Sequence, residues 1–398
     1  MSNLIQPQTD AGRRFVAAVE AHAGAFRERA AAHDRDSSFP TENFDDLKKS
    51  GALAAFVPEE FGGLGLDSVH DWTVGLSRLG SSDASTAIAL NMHLAVSRIL
   101  AQTGNEPMLR AIAAGDLVIC ATATEPGTDF LRPLTTATPN GDGYTISGRK
   151  LFVTLSPVAG LYAMNVCVKG LDEDRIGFVF VPASTPGLEL QHDWDALGMR
   201  ASGSQSLVIR DCRVPEASVQ LAGLWGRWSP GLLMGRTLGN ITLVGAFLGI
   251  AERARELAVT GARAQTKPKY DGAVANAAGV QHLLGEIDIE LAAARAILSD
   301  TTRRLDEFLA SPAGESPSLE AAHDCMRDYQ CAKWIVNQNA IGIVSRAMDV
   351  CGGGAYMSGH ELSRLYRDVR AGPFMQPFSP TEAREYVGRV ALGLHPEG

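Results

Sequence analysis

The sequence predicts an α+β protein in three successive parts: an N-terminal helical domain (1–118), a central antiparallel β domain with its connecting loop (119–232), and a C-terminal four-helix bundle (233–398). Three observations predict it. Apolar residues recur every three or four positions in the first part, as a helix with one buried face requires. They alternate with polar residues over short runs in the second, the pattern of half-buried strands. Long apolar-striped helical segments fill the third.

In the first part, FVAAVEAHAGAF (15–26) and TAIALNMHLAVSRILA (86–101) carry the helical period, and VPEEFGGLGL (57–66) interrupts it with glycine and proline. The character changes near Asp116. VICATATE (118–125), YTISGRKLFVT (144–154), LYAMNVCV (161–168), RIGFVFVPA (175–183) and SLVIRDCRVP (206–215) read as strands, separated by turns such as PNGDG. Residues 216–232 hold two tryptophans, three glycines and a proline and are expected to form a loop. Helices are then predicted over 242–265, 279–310 and 324–352, with 384–394 closing the chain. No G-x-G-x-x-G follows a predicted strand, so a nicotinamide-binding parallel sheet is disfavoured.

The 398 residues are 45% hydrophobic, enough for a sizeable core, and the net charge of −9 gives no basic footprint for nucleic acid or an anionic membrane. The six cysteines form no C-x-x-C pair, and the nine histidines are dispersed; no metal site is expected. The first residues lack a basic stretch followed by an apolar one, and no run approaches the ~20 apolar residues of a membrane span. The expected location is cytoplasmic.

Four stretches, in this order, resemble the acyl-CoA dehydrogenase superfamily: VPEEFGGLGL (57–66); ATATEPGTDF (121–130) with ISGRKLFVT (146–154); WDALGMRASGSQSLVIRDCRVP (194–215); and CGGGAY (351–356) with RLYRDVRAG (364–372). Each is weak alone; in order and within matching domains they are specific. The resemblance implies a flavoprotein, usually a homotetramer, with FAD shared across subunits.

A flavin ring needs hydrogen bonds along its N5, O4 and O2 edge and packing on its face. By resemblance, Thr124 and Thr154 supply edge contacts, Phe152 stands where relatives carry a Trp beside the ring, and Thr128 follows a phosphate-side turn two residues shorter than usual. Read without the resemblance, they are ordinary strand and turn residues. The remaining cofactor positions depart from the family pattern. Lys267 falls where relatives have Arg, Tyr270 where they have Phe, and Asp349 where they have Gln; Gly352 and Gly353 are kept. Lysine neutralises a phosphate but makes no bidentate contact, so FAD is expected with FMN as the alternative.

The family's dehydrogenases remove an α-proton with a carboxylate. Counting nine residues from Arg367 reaches Gln376, and residues 369–381 contain no Asp or Glu. The second family position for the base falls on Gly239 and Asn240, with Arg236 a turn earlier. Glu382, the nearest acid, reads as a helix-start residue. A carboxylate placed at position 376 is expected to create or improve acyl-CoA oxidation.

One branch of the superfamily uses reduced flavin and oxygen to hydroxylate small molecules and needs no such base. The leading reading is therefore a monooxygenase of a small or carrier-bound substrate, served by a separate flavin reductase. The alternatives are an acyl thioester dehydrogenase with a relocated base and a flavin-binding protein without turnover. His93 is read either as a catalytic group of an oxygen-using site or as a packed core histidine. Asn91, Arg200, Ser204 and Met375 are the candidate substrate contacts, with a surface turn as the other reading of Arg200 and Ser204.

Overall fold

The computed structural model describes residues 4–270 and 272–398. Six α-helices come first: α1 (Asp10–Glu20), α2 (Ala23–Asp36), α3 (Thr41–Lys49), α4 (Val69–Gly80), α5 (Ala84–Thr103) and α6 (Glu106–Ala113). Thr9, Ser68, Asp83 and Asn105 start α1, α4, α5 and α6 by accepting first-turn backbone N–H groups, which would otherwise lack partners. Every residue of α4 is buried, which makes it a core element and not a surface helix.

Eight strands follow: β1 (Ile119–Thr122), β2 (Thr136–Pro139), β3 (Gly143–Val153), β4 (Leu161–Val168), β5 (Arg175–Pro182), β6 (Leu188–Leu190), β7 (Gln205–Pro215) and β8 (Val219–Leu224). They form one sheet in the order β6-β7-β3-β2-β4-β5-β8, with β1 beside β4. The predicted fold class is borne out, but two details of the sheet differ. β1 and β2 both run parallel to β4, so the sheet is mixed. Part of the expected loop at 216–232 is β8, paired antiparallel with β5.

The bundle comprises α7 (Pro230–Ile241), α8 (Leu243–Ala264), α9 (Ala278–Leu309), the single turn α10 (Pro312–Glu315), α11 (Leu319–Cys351), α12 (Glu361–Asp368) and α13 (Pro380–Ala391). A small hairpin, β9 (Thr266–Lys267) and β10 (Gly272–Ala273), lies between α8 and α9. α8 packs on α4 at backbone distance: a Cβ at Gly245 would sit 2.5 Å from the Thr73 carbonyl, and one at Gly249 2.3 Å from that of Ser77. By length and composition alone, α5 and the joined α7–α8 pass for membrane spans; both are mostly buried within the fold.

Candidate functional site

Gln376 lies on the loop between α12 and α13, and its side chain bridges α7 of the bundle and the β domain. Its amide oxygen accepts from the Arg236 guanidinium on α7, and its amide nitrogen donates to Thr124 Oγ1, just after β1. Arg236 lies 4.3 Å over the Phe130 ring, and Phe130 stacks on Trp228 at 6.1 Å. Burial lowers Arg236 to about 10, so it remains charged at neutral pH.

The loop is gripped from behind by α11. The fully buried Tyr329 hydroxyl donates to the Gln376 carbonyl at 2.6 Å. One turn on, Lys333 Nζ donates to the carbonyls of Met375 and Phe378. Burial pulls Lys333 down to about 7, with Glu382 working against it. On the sheet side, a fully enclosed Lys150–Glu125 ion pair fixes the turn after Thr124: Glu125 also accepts from the backbone of Leu134 at 2.6 Å and of Thr135 at 3.0 Å, while Lys150 reaches Asn165 Oδ1 at 2.9 Å. A buried pair with its remaining valences satisfied fixes geometry more than it adds stability.

Beside this cluster runs a row of hydroxyls. Thr154 Oγ1 is 2.8 Å from Ser204 Oγ, which is 2.6 Å from Ser202 Oγ. Phe152, two residues from Thr154, has φ of 52° and is 57% exposed, with its ring edge-on to Trp194 at 5.8 Å. A phenylalanine held outward on left-handed backbone is costly unless something covers it. An outward ring beside a hydroxyl row fits the face and edge of a flavin. The loop carrying Ser202 and Ser204 is fixed by Met199 N–H, which donates to Asp368 at 2.6 Å, and by Arg200, which donates to the Asp34 carbonyl at 2.8 Å.

Thr124, Thr154, Phe152, Ser204 and Gln376 thus belong to one neighbourhood. Met375 joins it through its carbonyl, while its side chain packs on the core. Four other candidates make their hydrogen bonds elsewhere. His93 is fully buried, with Nε2 2.9 Å from the Leu53 carbonyl and Nδ1 accepting from Ile119 N–H at 3.0 Å. Both ring nitrogens are spent on backbone, and burial lowers it to about 4: it is a neutral core histidine. Asn91, also fully buried, donates to the Gly239 carbonyl at 2.9 Å and accepts from Thr242 at 2.7 Å, satisfying the break between α7 and α8. Arg200 turns away to the carbonyls of Asp34 and Ala196. Thr128 closes its own turn on the Arg132 carbonyl.

The other expected cofactor residues form a second group. Lys267 and Tyr270 lie on the β9–β10 segment, which Gln265 ties to the end of α11 by donating to the Cys351 carbonyl at 3.2 Å. Asp349, Gly352 and Gly353 are at that same end. Asp349 and Tyr329 are 20 residues apart on one continuous helix, which is about 30 Å. Within one chain this group therefore does not meet the Thr124–Gln376 cluster.

Glu382 is spent on a capping box with Ser379. Among the described residues no carboxylate bonds Gln376, Arg236 or Thr124, and no cluster could hold a metal. Arg236, Phe130, Tyr329 and Lys333 went unassigned from sequence. For Arg236 a signal existed: it is the one charge in residues 229–251.

A mixed sheet between two helical parts, with the exposed Phe152 ring beside a row of hydroxyls, is the architecture of a flavin-dependent oxidoreductase. The chain belongs to the acyl-CoA dehydrogenase family: the family's N-terminal, middle and C-terminal domains match residues 9–113, 119–212 and 234–376. Within that fold it is a flavin-dependent monooxygenase. The chain is 33% identical to the amino sugar nitrososynthase DnmZ of Streptomyces peucetius, over 98% of this chain and 96% of DnmZ. It is 35% identical to the amino sugar nitrososynthase RubN8 of Streptomyces rubradiris, over 97% and 91%. The structure of KijD3 with FMN and dTDP-3-amino-2,3,6-trideoxy-4-keto-3-methyl-D-glucose superposes with a TM-score of 0.91, at 36% identity over 98% and 96% of the two chains.

Proposed function

We propose that this enzyme uses FMN and oxygen to oxidise the amino nitrogen of a nucleotide-linked amino sugar. The observation that carries the reading is the Arg236–Gln376 pair in the position of the missing base. An amine needs its lone pair to receive oxygen, so it must be neutral. A carboxylate would hold it as ammonium, whereas a nearby cation lowers an amine's pKa. The nitrososynthase relatives and the sugar nucleotide bound by KijD3 supply the substrate class.

Bound flavin, reduced by two electrons, would supply the chemistry of oxygen activation. Each round consumes one O2, two electrons and two protons, adds one oxygen to nitrogen and releases one water; a second round followed by loss of water gives the nitroso product. In this reading Thr124 and Thr154 hold the flavin edge, Phe152 and Trp194 cover its face, Ser204 and Met375 border the substrate, and Gln376 faces the reacting groups. FMN is favoured over FAD because the Thr124 cluster needs no residue from the group about 30 Å away along α11. Lys267, Tyr270, Asp349, Gly352 and Gly353 would reach a flavin only across a subunit boundary of a homotetramer. A separate reductase would supply the electrons, and the six unpaired cysteines suit a reducing cytoplasm.

The test is turnover of dTDP-3-amino sugars with FMN, NADH and a flavin reductase, followed by mass spectrometry. Products oxidised at nitrogen are expected. Unchanged sugar, together with bleaching of bound flavin by an acyl-CoA under anaerobic conditions, would overturn the reading.

A further inference from the structure

We infer that Arg236 locks the Gln376 amide in one orientation and thereby reserves the Thr124 hydroxyl proton for the flavin edge. The inference rests on the flavin contact proposed above for Thr124.

The argument is one of donor and acceptor polarity. A guanidinium only donates, so the Gln376 oxygen must face Arg236. The other end of the same amide is an NH2, which also only donates, and it meets Thr124 Oγ1. Thr124 is thereby made an acceptor toward Gln376. Its single O–H proton has to go elsewhere, and among the described residues Thr124 Oγ1 donates to no protein acceptor. Arg236 itself has little freedom, being placed over Phe130 at 4.3 Å with its Nε enclosed. Donation thus passes one way, from Arg236 through Gln376 to Thr124 and on to whatever acceptor lies beyond it. A carboxylate at position 376 would keep both contacts and reverse the last: it would accept from Thr124 and consume that proton. The position therefore requires an amide, and its neutrality alone does not explain it.

Titration of the apoprotein with FMN, followed by flavin fluorescence, reads this without turnover. Thr124→Val should weaken FMN binding about fivefold, the value of one neutral hydrogen bond. Gln376→Glu should weaken it as much, and the double variant no further, because both changes remove the same donor. Thr124→Ser should bind normally. Arg236→Met, which frees the amide to rotate, should weaken binding only where Thr124 is intact, and it serves if Gln376→Glu fails to fold. Weakening by Thr124→Val with normal binding by Gln376→Glu or Arg236→Met would overturn the inference, as would additive effects. Normal binding by Thr124→Val would instead overturn the flavin contact itself.

Discussion

The hydroxyl of Tyr329 donates to the main-chain carbonyl of Gln376 at 2.6 Å, so the residue at the site is held by its backbone while its side chain serves Thr124 and Arg236. Tyr329→Phe deletes that donor and leaves a carbonyl without its partner. The expected cost is about 1–2 kcal/mol of stability. FMN affinity should also fall, because the loop that presents Gln376 loses one of its two grips. Chemical denaturation and FMN titration of the same variant check both effects. A loss of stability with unchanged FMN affinity would mean that the grip does not position the amide.

Lys333 is the other grip, and its stability contribution depends on pH. Its ordinary value of 10.5 is lowered to about 7 by burial. Between those values the unfolded chain binds more protons than the folded one, so this group adds stability as pH rises and withdraws it as pH falls toward 7. Lys333→Met removes the titration. The difference in unfolding free energy between wild type and variant should therefore grow in favour of the wild type from pH 7 to pH 10. A difference that stays flat across that range would show that Lys333 is charged in the folded protein.

His93 supports a contrasting expectation. It bridges Leu53 on the first helical part and Ile119 at the start of β1. His93→Leu leaves both backbone groups unpaired in the core, at a cost of roughly 2–4 kcal/mol. FMN affinity should stay within about twofold. Wild-type stability should fall as pH drops from 6.5 toward about 4, the window between its ordinary and folded values, and the variant should lack that component. Loss of flavin binding without loss of stability would return His93 to the site.

What the sequence disclosed and what it hid divide along contact distance. Resemblance to the family points to Gln376, by its spacing from Arg367, and to Thr124, Thr154 and Phe152, by their places in the matching stretches; their residue types alone do not single them out. Arg236 was missed as a participant because its partner is 140 residues away in the chain, and nothing local to α7 names that partner. His93 illustrates the opposite limit. A histidine on an apolar helix face reads alike whether it meets a ligand or a backbone carbonyl, and only the fold separates the two. The parallel pairings of β1 and β2 with β4 leave no trace in alternation, which reports which face is buried but not strand direction.

A carboxylate at position 376 was expected from sequence to bring acyl-CoA oxidation with it. The geometry argues otherwise. In Gln376→Glu the new side chain would meet the partly buried Arg236 guanidinium, and an opposite charge at that range lowers a carboxyl pKa by about 1–3 units. A weaker base removes an α-proton less readily. The single variant should therefore fail to oxidise acyl-CoA. Pairing it with Arg236→Leu removes the counter-ion, and desolvation would then raise the carboxyl. Anaerobic mixing of flavin-loaded protein with short-chain acyl-CoA, followed by flavin bleaching, distinguishes the two. Bleaching by the double variant alone is expected. Equal bleaching by the single variant would show that Arg236 exerts no electrostatic hold on position 376, and the account of the Arg236–Gln376 pair as the feature that suits this site to amines would fall with it.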